Sequence, residues 1–132
     1  MADFDAVLRE MDFAFIGEGR FKITADRLLE GPDTILVDLR SDEERAIIDL
    51  RPEELLKTIS LPLDELPERL SEIPRDKTVG LFCSSHTRST MAYFYLRAHG
   101  YENAKILLSG YDALLPELTP GKLSRRLRAR RG

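Results

Sequence analysis

Residues 79–92, VGLFCSSHTRSTMA, change abruptly from apolar to polar, and this change indicates the fold of the chain. An apolar run stops at Cys83, the only cysteine, and small polar residues follow it. From about Arg88 the apolar residues recur with helical spacing. The stretch therefore predicts a buried strand, a polar loop and a helix in direct succession.

Similar units lie on both sides of this stretch, where glycine and proline separate apolar runs from helical patterns. Strands are predicted at 34–39, 58–63, 77–82 and 104–108, and helices at 2–11, 25–30, from Ser41 to near Pro52, 52–57, 67–73, 88–99 and 111–118. Residues 13–24 are predicted as two short extended pieces around the turn at 17–19. Alternating elements of these lengths predict an α/β fold: an open, mostly parallel sheet of about five strands with helices on both faces.

The composition is that of an ordinary soluble domain, with 132 residues of which 42% are hydrophobic and 33% charged. No apolar run approaches the roughly 20 residues that span a bilayer, and the N-terminus lacks a signal-peptide pattern. A single cysteine cannot form an internal disulfide, so a reducing cytoplasm is the expected location. With His86 and His99 as the only histidines, we expect neither a metal site nor a cofactor.

Charge is distributed unevenly along the chain. Of the 20 basic and 23 acidic residues, six basic and no acidic residues fall within 122–132. Residues 1–121 therefore have a net charge of −9, whereas the whole chain has −3. We predict one domain over 1–121, with its core at about 22–116, followed by a flexible basic tail at 122–132. The tail is either a solvated end or a tether for nucleic acid, anionic lipid or an acidic protein.

The loop after Cys83 has the composition of an anion-binding turn. Ligands of open parallel sheets bind at the carboxyl ends of the strands, and a cysteine placed there faces the unpaired N–H groups of the next helix. If Ser84 to Arg88 curl around the sulfur, their amides favour the thiolate, and the Arg88 cation can pair with an anionic substrate. These residues predict a nucleophilic Cys83 that forms a covalent intermediate.

Two stretches, ITADRLLEGPDTILVDLRSDEE (23–44) and FCSSHTRSTMAYFYLRAHGYENAKILLSGYDAL (82–114), resemble single-domain rhodanese-like proteins. Members of that family have a Cys-x-x-Gly-x-Arg-Ser loop, a following strand that ends in a Gly-Gly turn, and an upstream Asp-Val-Arg motif. The resemblance covers about residues 22–116.

The resemblance implies a sulfurtransferase that carries sulfane sulfur as a persulfide on Cys83. The donor would be a small sulfur-containing anion such as thiosulfate or polysulfide, and the acceptor a thiol, a protein or another nucleophile. The implied substrate-binding residues form one loop and comprise Ser84, Ser85, His86, Thr87, Arg88 and Ser89. Asp38 and Arg40 match the Asp-Val-Arg motif, for which a structural ion pair is expected.

Two features depart from the family pattern. His86 stands where glycine is common. Three alternatives follow: the turn is strained, the imidazole enters the pocket and acts on a proton or a substrate anion, or the imidazole is an exposed loop side chain. The stretch IDLRPEELLKTISLP (48–62) replaces the usual Gly-His-Ile-Pro-Gly-Ala segment, so one wall of the pocket is expected to differ.

Two other classes of function stay open. A phosphatase or arsenate reductase on the same fold would use Cys-x5-Arg, whereas the spacing from Cys83 to Arg88 is Cys-x4-Arg. A shorter loop suits a terminal sulfur atom better than a tetrahedral oxyanion. A non-catalytic binding or regulatory module would retain the fold and use the acidic body or the basic tail as its working surface.

Overall fold

The computed structural model describes residues 4–131, which contain a five-stranded parallel sheet in the order β1-β5-β4-β2-β3. The strands are β1 (Lys22–Ile23), β2 (Thr34–Asp38), β3 (Thr58–Ser60), β4 (Thr78–Phe82) and β5 (Ala104–Leu107). The predicted α/β class and parallel sheet are confirmed. β2 and β4 pair from Thr34 with Thr78 to Asp38 with Phe82, so their carboxyl ends lie side by side.

Eight helices accompany the sheet in the described residues. They are α1 (Phe4–Arg9), α2 (Phe13–Glu18), α3 (Ala25–Glu30), α4 (Asp42–Ile47), α5 (Leu66–Arg69), α6 (Thr87–Ala98), α7 (Tyr111–Leu114) and α8 (Pro120–Arg131). Short 3₁₀ turns add Pro52–Glu54, Leu63–Glu65, Leu70–Glu72 and Leu115–Leu118. None of the helices in this part of the chain is long and apolar enough to cross a membrane.

Apolar side chains cover both faces of the central strands. In β4, Val79 and Leu81 point into one core cluster, and Phe82 points into the cluster on the opposite face. Gly80 lies between them, and a Cβ there would come within 2.7 Å of the Leu28 side chain. Glycine therefore allows α3 to pack closely on the sheet, and the continuous apolar runs are explained by burial on both faces.

Several predicted boundaries were wrong. The extended piece expected from residue 13 is helix α2, because the Asp12 carboxylate accepts a hydrogen bond from the Phe15 amide (2.9 Å) and caps the first turn. The helix predicted at 52–57 is a single 3₁₀ turn, and α4 ends at Ile47, well before Pro52. Residues 2 and 3 of the predicted first helix lie outside the described residues.

The basic segment differs from its prediction as well. Instead of a frayed end, residues 120–131 form helix α8. The helix is anchored because Glu117, a buried carboxylate, accepts hydrogen bonds from Arg126 (2.6 and 3.0 Å) and from Lys122 (3.1 Å). Burial by itself would raise the pKa of Glu117, but these cationic donors outweigh it and lower that pKa.

Candidate active site

Cys83 lies immediately after β4, at the carboxyl edge of the sheet, and its side chain is fully buried at 0% exposure. The loop from Ser84 to His86 leads directly into α6, which begins at Thr87. The strand, loop and helix therefore follow one another as the sequence predicts, and they bring the thiol to the edge where parallel sheets bind ligands.

The thiol has two hydrogen-bond partners among residues 4–131. Cys83 Sγ lies 2.6 Å from the Ser85 carbonyl oxygen and 3.5 Å from Ser89 Oγ. A carbonyl oxygen only accepts, so the short contact requires the protonated thiol as donor. The predicted ring of amides around a thiolate is not what this arrangement shows. A thiolate has no proton to donate to this oxygen, and it is the Ser85 carbonyl that faces the sulfur in this structure.

Arg88 pairs with a carboxylate of the chain itself. Its Nη1 and Nη2 donate to the two oxygens of Glu44 at 2.6 and 2.8 Å, and Nη2 also donates to Ser84 Oγ at 3.0 Å. The hydrogen bonds from Arg88, together with the Ser41 amide, lower the pKa of Glu44 to about 2. The guanidinium that was predicted to bind an anionic donor therefore already holds an internal anion.

Two shallow grooves lie beside this ion pair. One, of about 270 Å³, is lined by Glu43, Glu44, Ile47, Ile48 and Tyr111. The other, of about 300 Å³, includes Arg88 and is otherwise lined by Leu39, Ser41, Pro62, Leu63 and Asp64. Cys83, which is buried, is among the lining residues of neither groove, whereas each groove contains one member of the Glu44–Arg88 pair.

Asp38 and Arg40 form the structural ion pair expected from the sequence. The pair is buried, with both side chains about 1% exposed, and Arg40 Nη2 lies 2.8 Å from Asp38 Oδ2. Arg40 also donates to the carbonyl of Ile48 (2.8 Å), and its guanidinium lies 5.1 Å from the Phe82 ring and 5.5 Å from the Tyr111 ring. The pair thereby joins β2, the end of α4 and α7 under the site.

His86 does not produce the strain that its position suggested. Its φ of −105° lies in the ordinary region for an L residue, so no glycine is required there. The imidazole is exposed and turns toward the next loop, where Nε2 accepts a hydrogen bond from the Ser109 amide at 2.7 Å. In this arrangement His86 contacts protein backbone and does not contact the thiol.

The turn from β5 to α7, residues 108–110, forms a wall of the site. Gly110 has φ +49° and ψ −123°, and a Cβ there would lie 2.6 Å from the Ser84 carbonyl oxygen and 3.1 Å from that of Cys83. A side chain at this position would therefore push the turn away from the reactive loop. The close approach explains the glycine at 110.

The predicted site residues thus divide into groups. Ser85 and Ser89 contact the thiol, Ser84 and Arg88 contact each other, His86 reaches Ser109, and Thr87 is exposed at the first position of α6. Their predicted roles toward a substrate stay predictions. Glu44 was not predicted as the partner of Arg88, because the capping-box pattern at the start of α4 already accounted for that carboxylate.

Comparisons with known proteins agree with this geometry. The family model of the rhodanese-like domain matches residues 23–116. A sulfurtransferase of Allochromatium vinosum is 37% identical over 89 residues, which cover 67% of this chain and 78% of that protein. The tRNA sulfurtransferase of Escherichia fergusonii is 32% identical over 76 residues, 58% of this chain.

Some relatives are much longer than this chain. The alignment spans 16% of the E. fergusonii protein. In the solved structure of a NAD-dependent persulfide reductase from A. fulgidus, 74% of this chain matches 16% of that chain, with 38% identity and a TM-score of 0.55. These relatives support sulfur transfer as the class of activity. With the family model covering most of its length, the chain belongs to the rhodanese-like domain family.

Proposed function

We propose that this protein transfers sulfane sulfur through a persulfide on Cys83. The observation that carries the proposal is the position of Cys83, the only cysteine of the chain. It follows β4 directly and opens the loop into α6 at the carboxyl edge of the sheet. The sulfurtransferase relatives support the reaction class, and the A. fulgidus relative is named for a persulfide.

The proposed reaction has two displacements. The Cys83 thiolate attacks the outer sulfur of a donor such as thiosulfate, a new S–S bond forms, and sulfite leaves with the electrons of the old S–S bond. A nucleophilic acceptor, such as a thiol or cyanide, then attacks the terminal sulfur and releases the thiolate. No external oxidant or reductant is needed, because in each step a nucleophile replaces a leaving group at sulfur.

The residues around the thiol have different roles in this reaction. Once the Ser85–His86 peptide turns, the loop amides and the start of α6 stabilise the negative charge on the terminal sulfur. The Ser89 hydroxyl lies 3.5 Å from Sγ and donates to the His86 carbonyl (3.2 Å), so it donates to that charge only by giving up this bond. Arg88 takes part in anion binding only by exchanging Glu44 for the donor.

Turnover tests the proposal against its alternatives. Wild type incubated with thiosulfate and cyanide should form thiocyanate at a rate that Cys83→Ser abolishes. A non-catalytic module would give no thiocyanate, and a phosphatase would instead hydrolyse an aryl phosphate in a reaction that depends on Cys83. Either of those results would overturn the proposed activity. Replacing thiosulfate by polysulfide tests the expected anionic donor class.

An anionic partner for α8 is part of the proposal. Exposed arginines at 125, 128, 130 and 131 form no ion pair within the described residues, and such a surface attracts phosphates. Binding to RNA or to anionic vesicles that weakens with salt, and that is lost when the four arginines become glutamine, would support this partner. Equal binding by both proteins would contradict it. The cytoplasmic location stays a prediction.

A further inference from the structure

We propose that His86 is a positioning residue that holds the reactive loop, Ser84-Ser85-His86, against the β5–α7 turn and so sets the geometry of Cys83. The proposal rests on the proposed sulfur transfer and concerns the same site. It assigns to His86 a contact with backbone in place of the contact with substrate that the sequence suggested.

The contact that carries the proposal is one hydrogen bond. The Ser109 N–H donates to His86 Nε2 at 2.7 Å. An acceptor nitrogen must carry a lone pair, so the bond requires a neutral imidazole with its proton on Nδ1. Ser109 has a φ of +75°, a conformation that few residues other than glycine adopt, and in it the amide points toward the loop.

The same turn contacts the other end of the loop. The close approach of Gly110 to the carbonyls of Cys83 and Ser84 places the turn directly against the first peptide after the thiol. Two consecutive residues of one turn therefore meet the two ends of the loop, Ser109 through a hydrogen bond to His86 and Gly110 through close approach to Ser84. Ser85, between the two contacts, is the residue whose carbonyl oxygen lies 2.6 Å from Sγ.

Anchored ends matter because the centre of the loop has to move. Formation of the thiolate removes the proton that Sγ gives to Ser85, so the Ser85–His86 peptide must turn its N–H toward the sulfur. The backbone of His86 is fixed on the helix side by its carbonyl, which accepts from the Thr90 amide (2.8 Å) and from Ser89 Oγ (3.2 Å). Its imidazole fixes it on the turn side. Rotation is thereby confined to the single peptide next to the thiol.

The test compares replacements that retain or remove the acceptor. Glutamine places an acceptor oxygen at the same number of bonds from Cβ as Nε2, whereas leucine fills similar space without one. Mass spectrometry of the intact protein over time gives the rate constant for addition of one sulfur atom from thiosulfate. We expect His86→Leu to lower that rate constant about three- to tenfold, the effect of one lost hydrogen bond, and His86→Gln to stay within about twofold of wild type.

A second measurement is independent of sulfur chemistry. Hydrogen exchange at the Ser109 amide should be faster in His86→Leu by a similar factor, about three- to tenfold, than in wild type or His86→Gln. The matched control is His99→Leu, because His99 bonds to the Tyr95 carbonyl at the far end of α6. It should change neither the sulfur-addition rate nor Ser109 exchange.

The outcomes separate the two proposals. If wild type gains no sulfur adduct while Ser109 exchange still depends on the acceptor at position 86, sulfur transfer is overturned. The hydrogen bond between His86 and Ser109 is then still supported. Equal adduct rates and equal Ser109 exchange in the leucine and glutamine variants would overturn the role of His86. A sulfur-addition rate that falls in His86→Leu and falls equally in His86→Gln would also overturn the role of His86. The hydrogen-bond acceptor at position 86 would then not be the cause of the lower rate.

Discussion

The guanidinium of Arg88 and the carboxylate of Glu44 meet through two hydrogen bonds, although 44 positions of sequence separate them. Glu44 also accepts from the Ser41 amide at the start of α4, so one carboxylate caps a helix and neutralises the cation beside the reactive loop. The relationship ties α4 to α6 next to the buried thiol. It also makes the site dependent on the charge of Glu44.

Acidification is expected to weaken this link. The pKa of Glu44 in the folded protein is about 2, below its ordinary value of 4.5. The carboxylate therefore contributes stability above about pH 4.5, and the contribution is lost as the pH falls toward 2. Because the pair is about a third exposed, we expect the stability difference between wild type and Glu44→Gln to shrink by on the order of 1 kcal/mol between about pH 5 and about pH 3.

Urea unfolding of both proteins at the two pH values measures that difference. Glu43→Gln is the matched control, because Glu43 is exposed on the same turn and forms no ion pair with any described residue. A difference that does not change with pH for Glu44→Gln, or that changes equally for Glu43→Gln, would contradict the assigned role of the Arg88 pair.

Gly110→Ala is expected to disrupt the site and destabilise the fold. A Cβ there meets the Ser84 carbonyl oxygen at 2.6 Å in a backbone conformation that favours glycine, a strain of about 1–3 kcal/mol. The sulfur-addition rate should fall with the displaced loop. Gly17→Ala is the contrasting change. A Cβ there would meet no atom within 4 Å apart from its chain neighbours and the backbone of its own helix, so the change should stabilise by about 0.5–1 kcal/mol. Thermal unfolding that ranks the variants in the opposite order would refute this geometry.

The buried ion pair should be much more sensitive than an exposed one. Asp38→Asn leaves the Arg40 charge without its counter-ion at about 1% exposure, and we expect a loss of about 3 kcal/mol or more in the free energy of unfolding. Glu54→Gln makes the same chemical change in the exposed pair with Arg51, at a cost below about 1 kcal/mol. Chemical denaturation at neutral pH compares the two. Similar losses for both variants would show that Arg40 does not depend on Asp38.

Helix α8 should detach when its buried anchor is neutralised. Glu117→Gln removes the charge that holds Arg126 and Lys122, and we expect trypsin to cleave within 122–131 about tenfold faster or more. Glu30→Gln alters only an exposed carboxylate that meets Arg126 at 3.5 Å, so its cleavage rate should match wild type. If trypsin cleaved wild type as fast as Glu117→Gln, Glu117 would not anchor α8, and the flexible tail expected from the sequence would be the better description.

The central strands β2 and β4 were predictable because each is buried on both faces and leaves a continuous apolar run, as in 79–82. The short elements were not. Helix α2 depends on the Asp12 cap and on burial of Phe15, signals too weak to outweigh two nearby glycines. Helix α8 is held by the buried carboxylate of Glu117 and by the exposed carboxylates of Asp26 and Glu30, and composition alone cannot reveal these partners.

In the candidate site, too, local features were predictable and contacts between distant segments were not. The position of Cys83 follows from local order along the chain, so the sequence predicted it. The Glu44–Arg88 pair and the His86–Ser109 bond join residues 44 and 23 positions apart, and their existence depends on which loops the sheet order brings together. The direction of the Ser85 carbonyl depends on the orientation of one peptide plane. The pattern of side chains in the sequence does not determine that orientation.

The central claim, that Cys83 takes up one sulfur atom, is tested most directly by intact mass after incubation with thiosulfate or polysulfide. The account predicts that wild type gains the mass of one sulfur, that a reductant such as dithiothreitol removes it, and that Cys83→Ser gains nothing. No reducible adduct on wild type, or an equal adduct on Cys83→Ser, would contradict the claim.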